Sequence, residues 1–135
     1  MQIETRQFAD TAVVAVVGRI DHRSASQLEL ALASVMAPAG ARQGPVVLDF
    51  AGVEYISSVG LRALMVAAKQ MRAQAASFAI AGLHPVVAEI FTISRFDRVL
   101  DVHAGVASAL AKTSAAALAA WQAAGMPPLA SAPGP

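Results

Sequence analysis

The sequence predicts an α/β domain on a mainly parallel, mixed sheet of about five strands with about four helices. Three observations carry this reading. Short apolar runs at residues 11–17, 46–48, 77–81 and 99–103 are separated by helical patterns, and such alternation builds parallel sheets with right-handed crossovers. The run at 11–17 is almost continuously apolar, as in a strand covered on both faces. After the run at 46–48, Leu61, Leu64, Met65, Ala68 and Met71 recur at three- and four-residue steps, the core stripe of a helix. A length of 135 residues fits one domain with a single core, and no internal repeat is visible.

The elements follow in order. Residues 3–8 alternate weakly and suit an edge strand, with a turn at Ala9 and Asp10. Few residues join this strand to the run at 11–17, so the two are expected to pair antiparallel; the segment Gly18-Arg19-Ile20-Asp21 is expected to end the second. Ser24 and Gln27 have the spacing of a capping box, and Leu28, Leu32 and Val35 form the stripe of a helix ending near Met36. A loop rich in Ala, Gly and Pro leads to Gly44-Pro45, which opens the buried strand Val46, Val47 and Leu48. A connection from Asp49 to Ser58 then enters the central helix. Pro85 suits the first position of the next helix, whose shared apolar face is Val86, Ile90 and Ile93. Gly105 opens a single final helix carrying Val106, Leu110, Ala117 and Trp121, and Gly125 suits its C-terminal cap. The domain is expected over residues 1–112, an Ala-rich extension of the last helix over 113–125, and a disordered tail with four prolines over 126–135.

The most informative stretch precedes the central helix. Ser57 and Ser58 stand on a turn at the positive end of that helix, where a hydroxyl caps and an anion or phosphoryl group is favoured. With Asp49, Phe50 and Val53 upstream, Ile56-Ser57-Ser58-Val59-Gly60-Leu61-Arg62 resembles the signature of STAS domains, found in bacterial anti-sigma factor antagonists and in anion transporters. The family pattern runs roughly Asp-Ser-Ser/Thr-Gly-Leu, and its first Ser is the phosphorylated one. The resemblance puts Ser58 at that position. Ser57 replaces the usual Asp, and Val59 replaces the second hydroxyl residue. The resemblance extends to Gly18-Arg19-Ile20-Asp21 and to Phe96-Asp97-Arg98-Val99-Leu100, covers about residues 13–106, and is absent beyond about Lys112. Asp21 reads two ways, as a carboxylate on the partner surface near the loop or as a turn residue accepting local N–H bonds; turn chemistry favours the second.

Several function classes are excluded by what the chain lacks. A net charge of +1, with ten dispersed Lys and Arg, offers no stripe for nucleic acid or for an anionic membrane. No apolar run approaches the roughly 18 residues of a membrane span, and the absence of Cys rules out disulfides and thiolate metal sites. Residues 11–18 resemble a signal-peptide core in hydropathy, but the upstream segment carries Glu4, Arg6 and Asp10 and lacks a cationic start, and no cleavage pattern follows, so a cytoplasmic protein is expected. A nucleophile elbow would need Gly at Ile56, and nothing places His22, His84 or His103 beside Ser58. No phosphate-binding fingerprint and no metal-ligand spacing is present. The chain is therefore read as a non-enzyme without metal or cofactor.

Across the central helix from its core stripe, Val59, Arg62, Ala63, Val66, Gln70 and Ala73 share a face with little charge. That suits a reversible protein contact, unless another helix or the Ala-rich tail covers it. The STAS resemblance implies an anti-sigma factor antagonist in a partner-switching pathway. Unphosphorylated, it would bind an anti-sigma factor or serine kinase of histidine-kinase-like ATPase fold, and phosphorylation of Ser58 would release it. A serine phosphatase would reverse the modification. The expected contact residues are Asp21, Ser57, Val59, Gly60, Arg62, Ala63 and Val66. The alternative is a STAS subunit of a membrane lipid-transport complex, contacting its ATPase, with Ser58 as a structural cap and no phospho-switch. A nucleotide-binding sensor is a weaker third reading.

Overall fold

The computed structural model describes residues 1–38 and 41–125. The expectation of a disordered tail at 126–135 lies outside the described residues. The chain runs β1 (Gln2–Phe8), β2 (Thr11–Ile20), α1 (Ala25–Val35), β3 (Val46–Ile56), α2 (Ser58–Ala73), β4 (Phe78–Ala81) and α3 (Pro85–Ile93). A 3-10 turn at Phe96–Arg98, β5 (Asp101–His103), α4 (Val106–Thr113) and α5 (Ala115–Ala124) complete it. The five strands stand in the order β1-β2-β3-β4-β5. β1 is antiparallel to β2, and every later pairing is parallel.

This topology places the layers. Each parallel crossover steps to the next strand in the same direction, so right-handed crossovers put α1, α2 and α3 on one face. There Val14, Leu48, Phe50 and Ile80 of the sheet pack with Leu28, Leu64, Met71 and Phe91 of the helices. After β5 the chain returns across the other face, where Leu110 and Ala117 cover Phe8, Val13, Val47 and Ala79. Both faces of the central strands are thus buried, which explains the continuous apolar run in β2.

Four elements depart from the sequence reading. β2 does not stop at Gly18 but passes through it at φ +112, with register shifts on either side, and continues to Ile20. β3 does not end at Leu48. It runs on to Ile56, because β2 pairs with it as far as Ile20↔Ile56 and because Phe50, Val53 and Ile56 all reach the core. Of the expected apolar face Val86, Ile90 and Ile93, only Ile90 packs against the core, and that in part. Val87 and Phe91 are fully buried, whereas Val86 and Ile93 are 59% and 74% exposed. The final helix is two helices, giving five among the described residues where about four were expected. At Ser114 the backbone is extended, its hydroxyl accepts from Ala117 N–H at 3.1 Å, and it donates to Asp10 Oδ1 at 2.7 Å. That bond is the main cause holding the Asp10 carboxyl below its usual value, and it ties the start of α5 to the β1–β2 turn.

The two stripes of α3 give a direct test. Phe91→Ala is expected to destabilise the fold by about 3–5 kcal/mol through a core cavity. Ile93→Ala should stay within about 0.5 kcal/mol of the parent. Urea unfolding of both variants checks the assignment, and comparable losses would contradict it.

Candidate functional site

The site forms where β2 and β3 end side by side. The ladder extends one residue past Ile56, with Ser57 N–H donating to Ile20 O at 2.8 Å. This bond brings the turn after β2 next to the start of α2. Only Ser57 separates the end of β3 from the first helical residue, Ser58.

The two serines have different surroundings. Ser57 is the N-cap of α2, with extended backbone and its Oγ accepting from Gly60 N–H at 3.2 Å. Its carbonyl accepts from Leu61 N–H at 2.9 Å. Ser58 is exposed at the first helical position, and among the described residues no group hydrogen-bonds its hydroxyl. The alternative reading had made Ser58 the cap; the cap is Ser57, because its backbone is the extended one and its oxygen faces the orphan N–H.

Gly60 is buried against the strand ends. A Cβ there would lie 2.7 Å from Ile20 Cγ2 and 2.8 Å from Ile56 Cγ1. Contacts this short between core side chains cost about 1–3 kcal/mol to accommodate. Gly60 therefore lets the first turn of α2 sit on the ends of β2 and β3. It was expected on the contact surface, but it is under it. Ala63 is likewise corrected: at 5% exposure it faces the core and offers no side chain to a partner. The outward face of α2 instead carries Ser58, Arg62, Val66, Lys69, Gln70 and Ala73, with Val59 half-buried at its edge.

Asp21 closes the neighbouring turn. Its Oδ1 accepts from the N–H groups of Arg23 at 3.0 Å and Ser24 at 2.9 Å, while Ser24 Oγ accepts from Asp21 N–H at 2.8 Å. This reciprocal pair is a capping box at Asp21 and Ser24, three residues ahead of the one expected at Ser24 and Gln27. Ser24 makes no side-chain cap to α1 itself. The Ser24 N–H bond first, and then its hydroxyl, hold the Asp21 carboxyl below its usual value, so Asp21 stays ionised and exposed beside the Ser57 turn.

Two further features were not singled out from sequence. The Arg19 guanidinium stands 4.5 Å from the Tyr55 ring centroid, a cation–π contact at the rim. It depends on the register pair Arg19↔Tyr55, which no local pattern reveals. Asp49, quoted only as part of the motif, is buried in β3 and accepts from Ala51 N–H at 3.0 Å. Burial pushes its carboxyl above its usual value, and the Ala51 bond opposes this only in part. A groove of about 1170 Å³ lies at the opposite end of the sheet, between Asp10, Arg42, Pro45, Gln74 and Ser77. Among the described residues no three His or carboxylate groups cluster as a metal site, and no helix is long and apolar enough to cross a membrane.

Residues 3–104 match the family model described as "Mlab, STAS domain". BtrV of Bordetella bronchiseptica, named as an anti-sigma factor antagonist, is 35% identical over 102 residues, covering 76% of this chain and 85% of BtrV. An anti-sigma factor antagonist from Mycobacterium paratuberculosis shares the fold with a TM-score of 0.75 at 23% identity, over 83% of this chain and 92% of that one. The Bacillus cell fate determinant SpoIIAA in its phosphorylated form shares it with a TM-score of 0.62 at 14% identity, over 82% of this chain and 98% of SpoIIAA.

Asp49 sets a pH prediction for the fold. A carboxyl whose folded pKa is raised disfavours the native state where it is ionised. Stability from this group therefore rises as pH falls through the folded pKa, and the gain is complete below the unfolded value. Asp49→Asn keeps an acceptor for Ala51 N–H and removes the buried charge. It should raise the melting temperature at neutral pH, with the difference shrinking on acidification. A lower melting temperature at neutral pH would contradict this.

Proposed function

The chain belongs to the STAS domain family of anti-sigma factor antagonists, and on that premise we propose that it is the switched component of a bacterial partner-switching pathway. Unmodified, it binds an anti-sigma factor or serine kinase of histidine-kinase-like ATPase fold through the Ser57–Ser58 turn, Asp21 and the outward face of α2. The partner uses ATP to phosphorylate Ser58 and lets go, and a serine phosphatase restores the binding form. On this reading the chain is a regulator rather than an enzyme, and it works in the cytoplasm.

The observation that carries the reading is the division of labour between the serines. Ser57 supplies the cap, so Ser58 is free to be modified without removing a bond that holds α2. A phosphoryl group adds about −1.5 to −2 charges at neutral pH. In the isolated domain that charge is tolerated, since it sits at a helix N-terminus one turn from Arg62. In the complex it must be desolvated against the partly apolar surface around Val59 and Val66, which is costly without a paired cation. Arg62 satisfies the phosphate only by leaving the interface.

Affinity capture from the native cell identifies the partner, and titration calorimetry with it tests the switch. Phosphorylation of Ser58 is expected to weaken binding about a hundredfold, equivalent to roughly 3 kcal/mol. Ser58→Asp should also bind weakly, and Ser58→Ala should bind like the unmodified chain. Mass spectrometry should map the phosphate to Ser58 and not Ser57. Recovery of transporter subunits with no kinase-like protein, or equal affinity of modified and unmodified forms, would contradict the proposal.

A further inference from the structure

The sheet has two unequal edges. β5 is three residues long and carries the exposed Asp101, and short charged strands are how proteins blunt an edge. β1, at the other edge, has seven residues with neither Pro nor Gly. It pairs with β2 without a register shift, from Gln2↔Val17 to Phe8↔Thr11. One side of β1 is satisfied by β2. Among the described residues nothing pairs with the backbone groups on the other side.

The side chains of β1 are self-complementary. Glu4 and Arg6 lie on one face, two residues apart, joined by a 2.8 Å bond, with the exposed Thr5 between them. Arg6 Nη1 is itself buried and has no hydrogen-bond partner among the described residues. Consider a second copy laid antiparallel along this edge about a two-fold axis normal to the sheet. Such an axis keeps every side chain on its own face, so a residue must sit on the axis. With Thr5 there, each Glu4 stands opposite the other copy's Arg6, and Thr5 opposite Thr5. With Glu4 or Arg6 on the axis, like charges meet, which is destabilising. The pattern therefore favours the register centred on Thr5 over those centred on Glu4 or Arg6.

We propose that β1 is a docking edge for a second copy of this chain, with the two strands paired antiparallel about Thr5 to make one continuous sheet. The Ser58 turn follows β3, so β2 stands between it and this edge. This inference stands independently of what binds Ser58.

The chain has no Cys, so Thr5→Cys introduces a unique thiol. Directly opposed residues bring Cβ atoms within about 4.5–5.5 Å, near the reach of a disulfide. With oxidised glutathione present, the full-length Thr5→Cys chain should form a covalent dimer readily, and the exposed, off-axis Gln7→Cys chain should not. In sedimentation equilibrium, Glu4→Arg should raise the dimer dissociation constant about tenfold or more, and adding Arg6→Glu should restore it. Circular dichroism confirms that each variant is folded. A wild-type chain that stays monomeric at every concentration leaves this edge to some other strand and overturns the proposal. So does equal cross-linking of the two Cys variants, or equal weakening by the single and double reversals.

Discussion

The seat of α2 on the ends of β2 and β3 is the constraint on which the site depends. Ser57 N–H bonds Ile20 O, and Gly60 lies against Ile20 and Ile56 with no room for a methyl group. These contacts fix where the helix begins. They also fix which serine caps it, since only the residue with extended backbone can present its oxygen to the orphan N–H groups. The exposure of Ser58 follows from this geometry. An exposed hydroxyl is held at a helix terminus by neighbours that do not use it.

The same seat divides the residues of the α2 region by role. Gly60 and Ala63 face inward and serve the fold, while Arg62 and Val66 face outward beside Ser58. Asp21 belongs to both groups. Its carboxylate closes the β2–α1 turn through Arg23 and Ser24, yet it remains exposed next to Ser57. Replacing it would disturb the turn as well as the surface, so a binding defect at Asp21 is ambiguous in a way that one at Ser58 is not.

Much of this was legible in the sequence, and the exceptions have physical reasons. The alternation of strand and helix, the α2 core stripe and the Ser57–Ser58 turn could be read from spacing alone. The length of β3 could not, because Gly52 and Glu54 interrupt its apolar pattern and only pairing with β2 holds that segment extended. In α3, Val86, Ile90 and Ile93 fit helical spacing, and so do Val87 and Phe91; a nine-residue helix this apolar does not reveal its buried face. Alanine is small enough for either environment, so Ala63 could not be placed by periodicity. The break at Ser114 depends on Asp10, far away in sequence.

The central claim is that a charge at Ser58 alters a surface and leaves the fold alone. Comparing amide chemical shifts of the unmodified and Ser58-phosphorylated chains tests it most directly. Changes confined to the Asp21 turn, Ser57 and the first turns of α2 as far as Arg62 are the expected result. Shifts spreading through Phe50, Leu64, Phe91 and the rest of the core would mean that the phosphate rearranges the domain, and would contradict the account.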